Sequence, residues 1–175
     1  MGGPGGGADK VGGWSGRPLS VLQDLHRGVA AVRAGHKAVI CPEEHLCLDH
    51  RRAAQGEPVP VGYVRTLADV YRFEPVPAGL TEEQGGRVAG AQGNAWSEAM
   101  DTPQRLDYQV FPRLAAVAEL TWSDLPAPGR AGRGGVRGAH GRTPCPLDAL
   151  GVDHRPSGGP LPWQRRPGVS GRPTG

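Results

Sequence analysis

The residues best placed to do chemistry are Trp96 and Glu98, which follow a run of small residues and stand two positions apart. If that run is a strand, side chains at alternate positions point to the same side, so the indole and the carboxylate line one wall of a pocket. An apolar ring beside a hydrogen-bond acceptor suits a sugar, which has an apolar face and a rim of hydroxyl groups. The pair therefore predicts a sugar-binding wall at the end of a strand.

Two strands and a preceding helix are predicted to position this wall. Lys37–Cys41 is a short, mostly apolar run typical of a buried strand. Arg87–Ala95 is predicted to be a second strand, whose small residues suit a crowded interior. Leu19–Ala34 is predicted to be a helix because its apolar residues recur at three- and four-residue steps. A helix that leads into a buried strand indicates the α/β class.

Three further segments carry helix signals. Thr66–Phe73 is predicted to be a short helix with Thr66 as its N-cap. Leu80–Gln84 has a helical start that two glycines cut short. Pro103–Thr121 is predicted to be a long helix kinked at Pro112. Its expected apolar stripe consists of Leu106, Val110, Leu114, Val117 and Leu120.

Several of these segments resemble the family-20 glycoside hydrolases, the β-N-acetylhexosaminidases. Gly90–Glu98 is similar to the last barrel strand of that family, and Thr102–Ser123 is similar to the helix that closes the barrel. Ala34–Pro42 and Leu48–Arg51 resemble the preceding strand and its Tyr-Leu-Asp signature. The resemblance is continuous over about 27–123 and returns at 147–172.

The resemblance implies an α/β fold, namely the C-terminal part of a (β/α)8 TIM barrel that holds its last two βα units. We expect a disordered Gly-rich N-terminus over 1–18, a partial catalytic barrel over 19–125, and a low-complexity basic tail over 126–175 whose end is again similar to the family. With 29 Gly and 18 Pro in 175 residues, the composition favours such disordered, Gly-, Pro- and Arg-rich ends.

The implied activity is hydrolysis of terminal β-linked N-acetylhexosamine by substrate-assisted catalysis, in which the acetamide of the substrate attacks the anomeric carbon. In the resembling enzymes an Asp-Glu pair after a His-x-Gly-Gly-like turn orients the acetamide and protonates the leaving oxygen. No segment of this chain matches that pair, and Glu43-Glu44 lacks the Gly-Gly context. We therefore expect a fragment with sugar-binding residues but no catalytic residue, inactive alone.

Three residues match substrate-binding positions of the family. Trp96 matches a tryptophan that packs on the N-acetyl group and the ring, and Glu98 matches a glutamate that accepts bonds from the outer hydroxyls. Asp49 matches the aspartate of the Tyr-Leu-Asp signature. The alternatives are a core tryptophan and two exposed acids. The chain departs from the family at Cys47, because a thiol is a weak, short donor in place of the tyrosine hydroxyl.

No metal or organic cofactor is implied. Cys41, His45, Cys47 and His50 lie close together in sequence, but their spacing fits no tight zinc pattern. The expected partner is an oligosaccharide that contains N-acetylglucosamine or N-acetylgalactosamine. A non-catalytic carbohydrate-binding remnant remains an alternative.

The basic character of the chain resides in its tail. From Ala127 onward eight arginines stand against two aspartates, a charge of +6, whereas the whole chain carries +3. Binding of nucleic acid through this Arg-Gly tail stays an alternative, although the tail lacks interleaved aromatics for stacking. No apolar run reaches transmembrane length and no signal-peptide pattern begins the chain. As written, the chain is expected to be cytoplasmic with no membrane partner, and a secreted parent enzyme stays open.

Overall fold

A computed structural model describes residues 10–11, 19–58, 62–123 and 146–165. The chain divides into two compact units, which are residues 1–43 with 75–92 and residues 44–74 with 93–175. In chain order the described elements are β1 Lys10–Val11, β2 Leu19–Leu22, α1 Leu25–Arg33, β3 Lys37–Ile40, α2 Glu43–Leu46, α3 Leu67–Arg72, α4 Glu82–Gly85, β4 Val88–Ala91, a 3₁₀ turn Ser97–Ala99, α5 Pro103–Val110, α6 Arg113–Trp122, α7 Pro146–Ala149 and α8 Pro162–Arg165. No helix among the described residues is long and apolar enough to cross a membrane.

The first unit is built on a sheet of order β1-β2-β3-β4. Strand β3 pairs in parallel with β2 and with β4, and β1 runs antiparallel to β2. Parallel strands joined through helices give the α/β arrangement that the sequence predicts.

The predicted helix over Leu19–Ala34 is wrong in its first part, where β2 occupies Leu19–Leu22. Helix α1 begins only after Asp24, whose carboxylate accepts hydrogen bonds from the N–H groups of His26 (2.8 Å) and Arg27 (3.3 Å). An N-cap aspartate fixes a helix start because it satisfies N–H groups that have no partner inside the helix. The structure therefore contains one parallel strand more than the two predicted.

The core of the first unit is apolar. Its fully buried side chains are Val32, Ala38, Ile40 and Cys41. Gly28 lets α1 approach β3 closely, because a Cβ atom at this position would lie 2.6 Å from Cδ1 of Ile40.

The second predicted strand, Arg87–Ala95, is shorter in the structure, since β4 ends at Ala91. Gln92 follows β4 and still donates its N–H to the carbonyl of Ile40 (3.1 Å). Asn94 instead makes a single parallel bridge with Cys47 inside the second unit.

The second unit is mainly helical. Helix α3 has the predicted Thr66 N-cap, completed by Asp69 into a capping box, and packs on α6. The predicted kink at Pro112 is a complete break, because α5 ends at Val110 and a cis peptide bond joins Phe111 to Pro112. Proline ends the helix since it has no N–H to donate to the preceding turn.

The predicted apolar stripe of α5 and α6 is wrong at two positions. Leu106 and Leu114 are exposed, whereas Arg105, Gln109 and Arg113 are buried. Arg105 and Gln109 are four positions apart and so lie on one side of α5, while Arg113 is the first residue of α6. The buried side is partly polar because it contacts loop backbone, as described below.

Part of the tail is well described. Residues 146–165 contain α7 and α8, and the backbone N–H of Arg155 donates to the carbonyl of Phe111 (3.3 Å). The side chain of Arg155 also donates to Oε1 of Glu57 (2.9 Å). Most of 1–18 and the segments 124–145 and 166–175 lie outside the described residues, so the predicted disorder of the ends stays a prediction.

Candidate functional site

Backbone hydrogen bonds place the segment that carries Asp49 beside the segment that leads to Trp96. The N–H of Leu48 donates to the carbonyl of Asn94 (2.6 Å), and the N–H of Asn94 donates to the carbonyl of Leu46 (2.8 Å). Asp49 and Trp96 each lie two residues beyond the Cys47–Asn94 bridge. Two of the three predicted sugar-binding residues, Asp49 and Trp96, therefore lie close in sequence to a pair of hydrogen-bonded backbone segments.

Trp96 is not a core residue. Its side chain is 53% exposed, and its backbone is extended just before the 3₁₀ turn. An indole is largely apolar, so the exposed half of Trp96 presents apolar surface to solvent.

The strand geometry expected for Trp96 and Glu98 is wrong. Glu98 is exposed and lies inside the 3₁₀ turn Ser97–Ala99 rather than in a strand. A 3₁₀ turn advances about 120° per residue, so side chains two apart do not point the same way by strand alternation. That Trp96 and Glu98 contact the same sugar stays a prediction, and strand alternation does not support it.

Asp49 is half-buried at the end of the paired segment. Its Oδ1 atom is enclosed and has no hydrogen-bond donor among the residues that the structure describes. The carboxylate acts electrostatically on Arg113, whose pKa it raises against the larger effect of burial.

Two side chains from α5 and α6 hold the backbone around Asp49. The Gln109 amide donates to the carbonyls of Asp49 (2.7 Å) and His50 (3.4 Å). Arg113 donates to the carbonyl of Leu48 and to that of Arg65 (3.0 Å). Gln109 is 1% exposed and Arg113 is fully buried. Burial lowers the pKa of Arg113 to about 10, although the nearby carboxylates of Asp49 and Glu57 oppose the shift.

Hydrogen bonds also run in the opposite direction. Arg52, in the loop that follows Cys47, donates to carbonyls at the end of α5. Its guanidinium reaches the carbonyls of Phe111 (2.6 Å) and Gln109. Burial, followed by the charge of Arg113, lowers the pKa of Arg52 well below its ordinary value. The guanidinium also lies 5.5 Å from the centre of the Tyr108 ring.

Cys47 is 3% exposed and forms no disulfide bond with any of the described residues. Of the four residues weighed for a metal, Cys41 and Cys47 are buried, and the described residues hold no group of three His, Cys, Asp or Glu side chains arranged for an ion.

Sequence patterns missed the buried and half-buried polar residues in and around the loop that follows Cys47. These residues are Arg52, Glu57, Gln109, Arg113 and Arg155. One signal was present, since large polar residues at 105, 109 and 113 repeat at helical spacing. That spacing is equally typical of a solvent-exposed helix face, so it does not reveal burial.

Comparison with known proteins decides the family. The model of glycosyl hydrolase family 20, catalytic domain, matches residues 19–125. The chain belongs to glycosyl hydrolase family 20. A beta-hexosaminidase from Porphyromonas gingivalis (strain ATCC BAA-308 / W83) is 42% identical over 100 residues, which are 56% of this chain and 13% of that relative.

Solved structures of family-20 enzymes share the fold. The exo beta-N-acetylglucosaminidase from Vibrio harveyi, in complex with N-acetylglucosamine, superposes with a TM-score of 0.61 at 28% identity, over 79% of this chain and 21% of that one. The beta-N-acetylhexosaminidase from Streptomyces coelicolor A3(2) gives a TM-score of 0.60 at 27% identity, over 75% of this chain and 26% of that one. The likeness implies a TIM-barrel catalytic domain, of which the described helices and strands form a part. The chain spans only about a quarter or less of each relative's length.

Proposed function

We propose that this chain supplies part of the sugar-binding wall of a β-N-acetylhexosaminidase catalytic domain, which hydrolyses terminal β-linked N-acetylhexosamine by substrate-assisted catalysis. In this proposal Trp96 packs on the N-acetyl group and the sugar ring, while Asp49 and Glu98 accept hydrogen bonds from sugar hydroxyls. The substrate class is an oligosaccharide that ends in N-acetylglucosamine or N-acetylgalactosamine. The catalytic Asp-Glu pair is not among the residues of this chain, so the chain alone binds without hydrolysing.

The observation that carries the proposal is the backbone pairing of Leu48 with Asn94. It joins the segment before Asp49 to the segment before Trp96, in a chain whose family acts on glycosides. The exposed half of the Trp96 indole offers apolar surface, and in this proposal the carboxylates of Asp49 and Glu98 supply the hydrogen-bond acceptors that a sugar also needs.

We also propose that β3 and β4 are the last two strands of the barrel, and that α5 and α6 together are its closing helix. Support comes from the parallel pairing of β3 with β4 and from the order of the elements along the chain. Active sites of such barrels lie at the C-terminal ends of the strands, and the three candidate residues follow β3 and β4 in sequence.

The proposal is tested by titrating N-acetylglucosamine against the fluorescence of the full chain. Trp96 is expected to respond, and the response is expected to disappear in Trp96→Phe. Trp122 is 89% exposed and provides the matched control, because Trp122→Phe should leave the sugar-dependent change intact. Glucose, which lacks the acetamide, should bind more weakly.

Hydrolysis is measured separately with a chromogenic N-acetylglucosaminide. General acid catalysis contributes roughly 10²–10⁴-fold, so a chain without the acid should show no turnover above background. Binding without turnover supports the proposal. If saturating sugar leaves the Trp96 signal unchanged, the sugar-binding role is wrong.

A further inference from the structure

We propose that Gln109 is a positioning residue for the Asp49 carboxylate, acting through the loop backbone and never touching the sugar itself. This inference rests on the proposed function, since it takes Asp49 as a sugar-binding group. It adds a specificity-determining contact on a helix that carries none of the candidate binding residues.

The geometry concerns three successive carbonyl groups. Those of Leu48, Asp49 and His50 all accept hydrogen bonds from side chains of α5 and α6. Arg113 supplies the first of these bonds, and Gln109 supplies the second and third.

Fixing these carbonyls fixes the direction of the Asp49 side chain. A peptide group is planar, so the orientation of its carbonyl sets the orientation of the whole unit. The units on either side of the Asp49 Cα atom are held by Arg113 and by Gln109, and together they determine φ and ψ at Asp49. The Cα–Cβ direction, and with it the position from which the carboxylate reaches a hydroxyl, follows from those two angles.

The orientation of the Gln109 amide is determined by the same contacts. Turned the other way, its oxygen would face the carbonyl oxygens of Asp49 and His50 and repel them. The side chain is 1% exposed, so water does not compete for these bonds. Removal of the amide donor therefore releases the loop on the side of Asp49.

Gln109→Met tests the inference, because methionine keeps the length and volume of glutamine and removes the donor. Gln104→Met is the matched control, since Gln104 lies on the same helix and is exposed. We expect Gln109→Met to raise the dissociation constant for N-acetylglucosamine about tenfold, because small displacements of a binding group are costly. Gln104→Met should change it less than twofold.

A double-mutant cycle with Asp49→Ala separates positioning from general stability. If Gln109 acts through Asp49, Gln109→Met should have no further effect on sugar affinity once the carboxylate is gone. An equal loss of affinity in both backgrounds would show a merely structural role and overturn the inference.

Hydrogen exchange provides a readout that needs no sugar. The amides of Asp49, His50 and Arg51 should exchange faster in Gln109→Met than in Gln104→Met, and unchanged exchange would overturn the inference. If Asp49→Ala leaves sugar affinity unchanged, the proposed function fails and the inference fails with it. If Asp49→Ala weakens binding and Gln109→Met does not, only the inference fails.

Discussion

The two units of the chain satisfy their buried backbone in different ways. In the first unit a parallel ladder joins the strands, and the fully buried side chains, such as Val32 and Ile40, are apolar. In the second unit the loop after Cys47 has, among the described residues, no strand partner beyond one bridge, and the buried groups include Arg52, Gln109 and Arg113. Buried carbonyls must find donors. In this unit guanidinium and amide side chains donate to the loop carbonyls, a role that strand N–H groups have in the first unit.

This difference has a consequence for binding. A site built on irregular backbone is only as precise as the groups that hold that backbone in place. The candidate carboxylate Asp49 lies on such backbone, and its neighbouring carbonyls are held by α5 and α6. The polar interior of the second unit is therefore part of the candidate site.

The largest effect is expected where one side chain serves several carbonyls. Arg113→Ala leaves the carbonyls of Leu48 and Arg65 without their donor. Each buried group that loses its partner costs roughly 1–3 kcal/mol, so we expect the free energy of unfolding to fall by about 3 kcal/mol or more. Urea unfolding of the full chain measures the change.

Arg72→Ala is the control for the loss of an arginine. Arg72 pairs with Asp69 at 2.9 Å, but its side chain is 72% exposed. Exposed pairs contribute about 0.2–1 kcal/mol, so this variant should be mildly affected. Equal effects of the two variants would mean that water replaces the buried guanidinium, and the carbonyls of the second unit would not depend on this buried donor.

The difference between the apolar first unit and the partly polar second unit also explains which elements were predicted correctly from the sequence. The short, mostly apolar run correctly indicated β3, and the N-cap Thr66 correctly indicated the start of α3. The prediction failed at Leu19–Leu22, where short apolar runs fit a strand as well as a helix. It also failed along α5, because a repeat of Arg105, Gln109 and Arg113 indicates a solvated face unless the carbonyls opposite are known.

The candidate site was predictable only in part. The resemblance to the family supplied Asp49, Trp96 and Glu98 as candidates, and the structure adds the bridge that joins the segments before Asp49 and Trp96. The groups that hold the loop are 48 to 65 residues distant from it in sequence, as the contact of Arg113 with Leu48 shows. Such pairings depend on tertiary structure, and no local pattern encodes them.

Alkaline pH should also reveal the polar interior of the second unit. Tyr108 is 2% exposed and donates to Oε2 of Glu57 (2.9 Å). Burial, and then the charge of Glu57, raises its pKa above the ordinary value of 10.0. A pKa raised by folding gives stability that is complete below the unfolded-state value and is lost as the pH rises through the folded-state value. Above about pH 10 the loss approaches 1.4 kcal/mol per pH unit.

We therefore expect Tyr108→Phe to lose less stability than the unaltered chain when the pH is raised from about 10 to 12, by up to about 2 kcal/mol. Denaturant unfolding at several pH values measures the slopes. Tyr63→Phe is the control, since Tyr63 is 59% exposed, and parallel curves for Tyr108→Phe and the unaltered chain would contradict the prediction.

The first unit should respond to a purely steric change. In Gly28→Ala the new Cβ would lie 2.6 Å from Cδ1 of Ile40. Overpacking costs about 1–3 kcal/mol, whereas alanine in place of glycine gains about 1 kcal/mol of helix propensity. We expect a net loss of about 1 kcal/mol in the free energy of unfolding.

Ile40→Val removes the clashing atom and provides the control. In that background Gly28→Ala should stabilise the chain by up to about 1 kcal/mol. Thermal or urea unfolding of the unaltered chain, the two single variants and the double variant gives the coupling free energy between positions 28 and 40. If Gly28→Ala has the same effect in both backgrounds, the close approach of α1 to β3 is not what requires glycine.

The smallest change in stability is expected from loss of a capping box. Two capping boxes of similar geometry occur, one in each unit. Thr66 accepts from the N–H of Asp69 (3.2 Å), and Thr81 accepts from the N–H of Gln84 (3.2 Å). Each partner side chain accepts in return from the N–H of its threonine, at 2.8 Å and 3.1 Å. Loss of an N-cap costs about 1 kcal/mol, so both Thr→Ala variants should be mildly destabilised at neutral pH.

Acid separates the two boxes, because only one of them titrates. Burial pushes the pKa of Asp69 up, but hydrogen bonds from the backbone and hydroxyl of Thr66, helped by Arg72, outweigh it and lower the pKa. A lowered pKa gives stability that is present above the unfolded-state value and is lost as the pH falls through the folded-state value. Thr66→Ala should therefore flatten the acid limb of the stability curve, whereas Thr81→Ala should shift that limb without changing its slope. Equal slopes in both variants would show that the charge of Asp69 adds nothing to its cap, and that the capping boxes of the two units are equivalent after all.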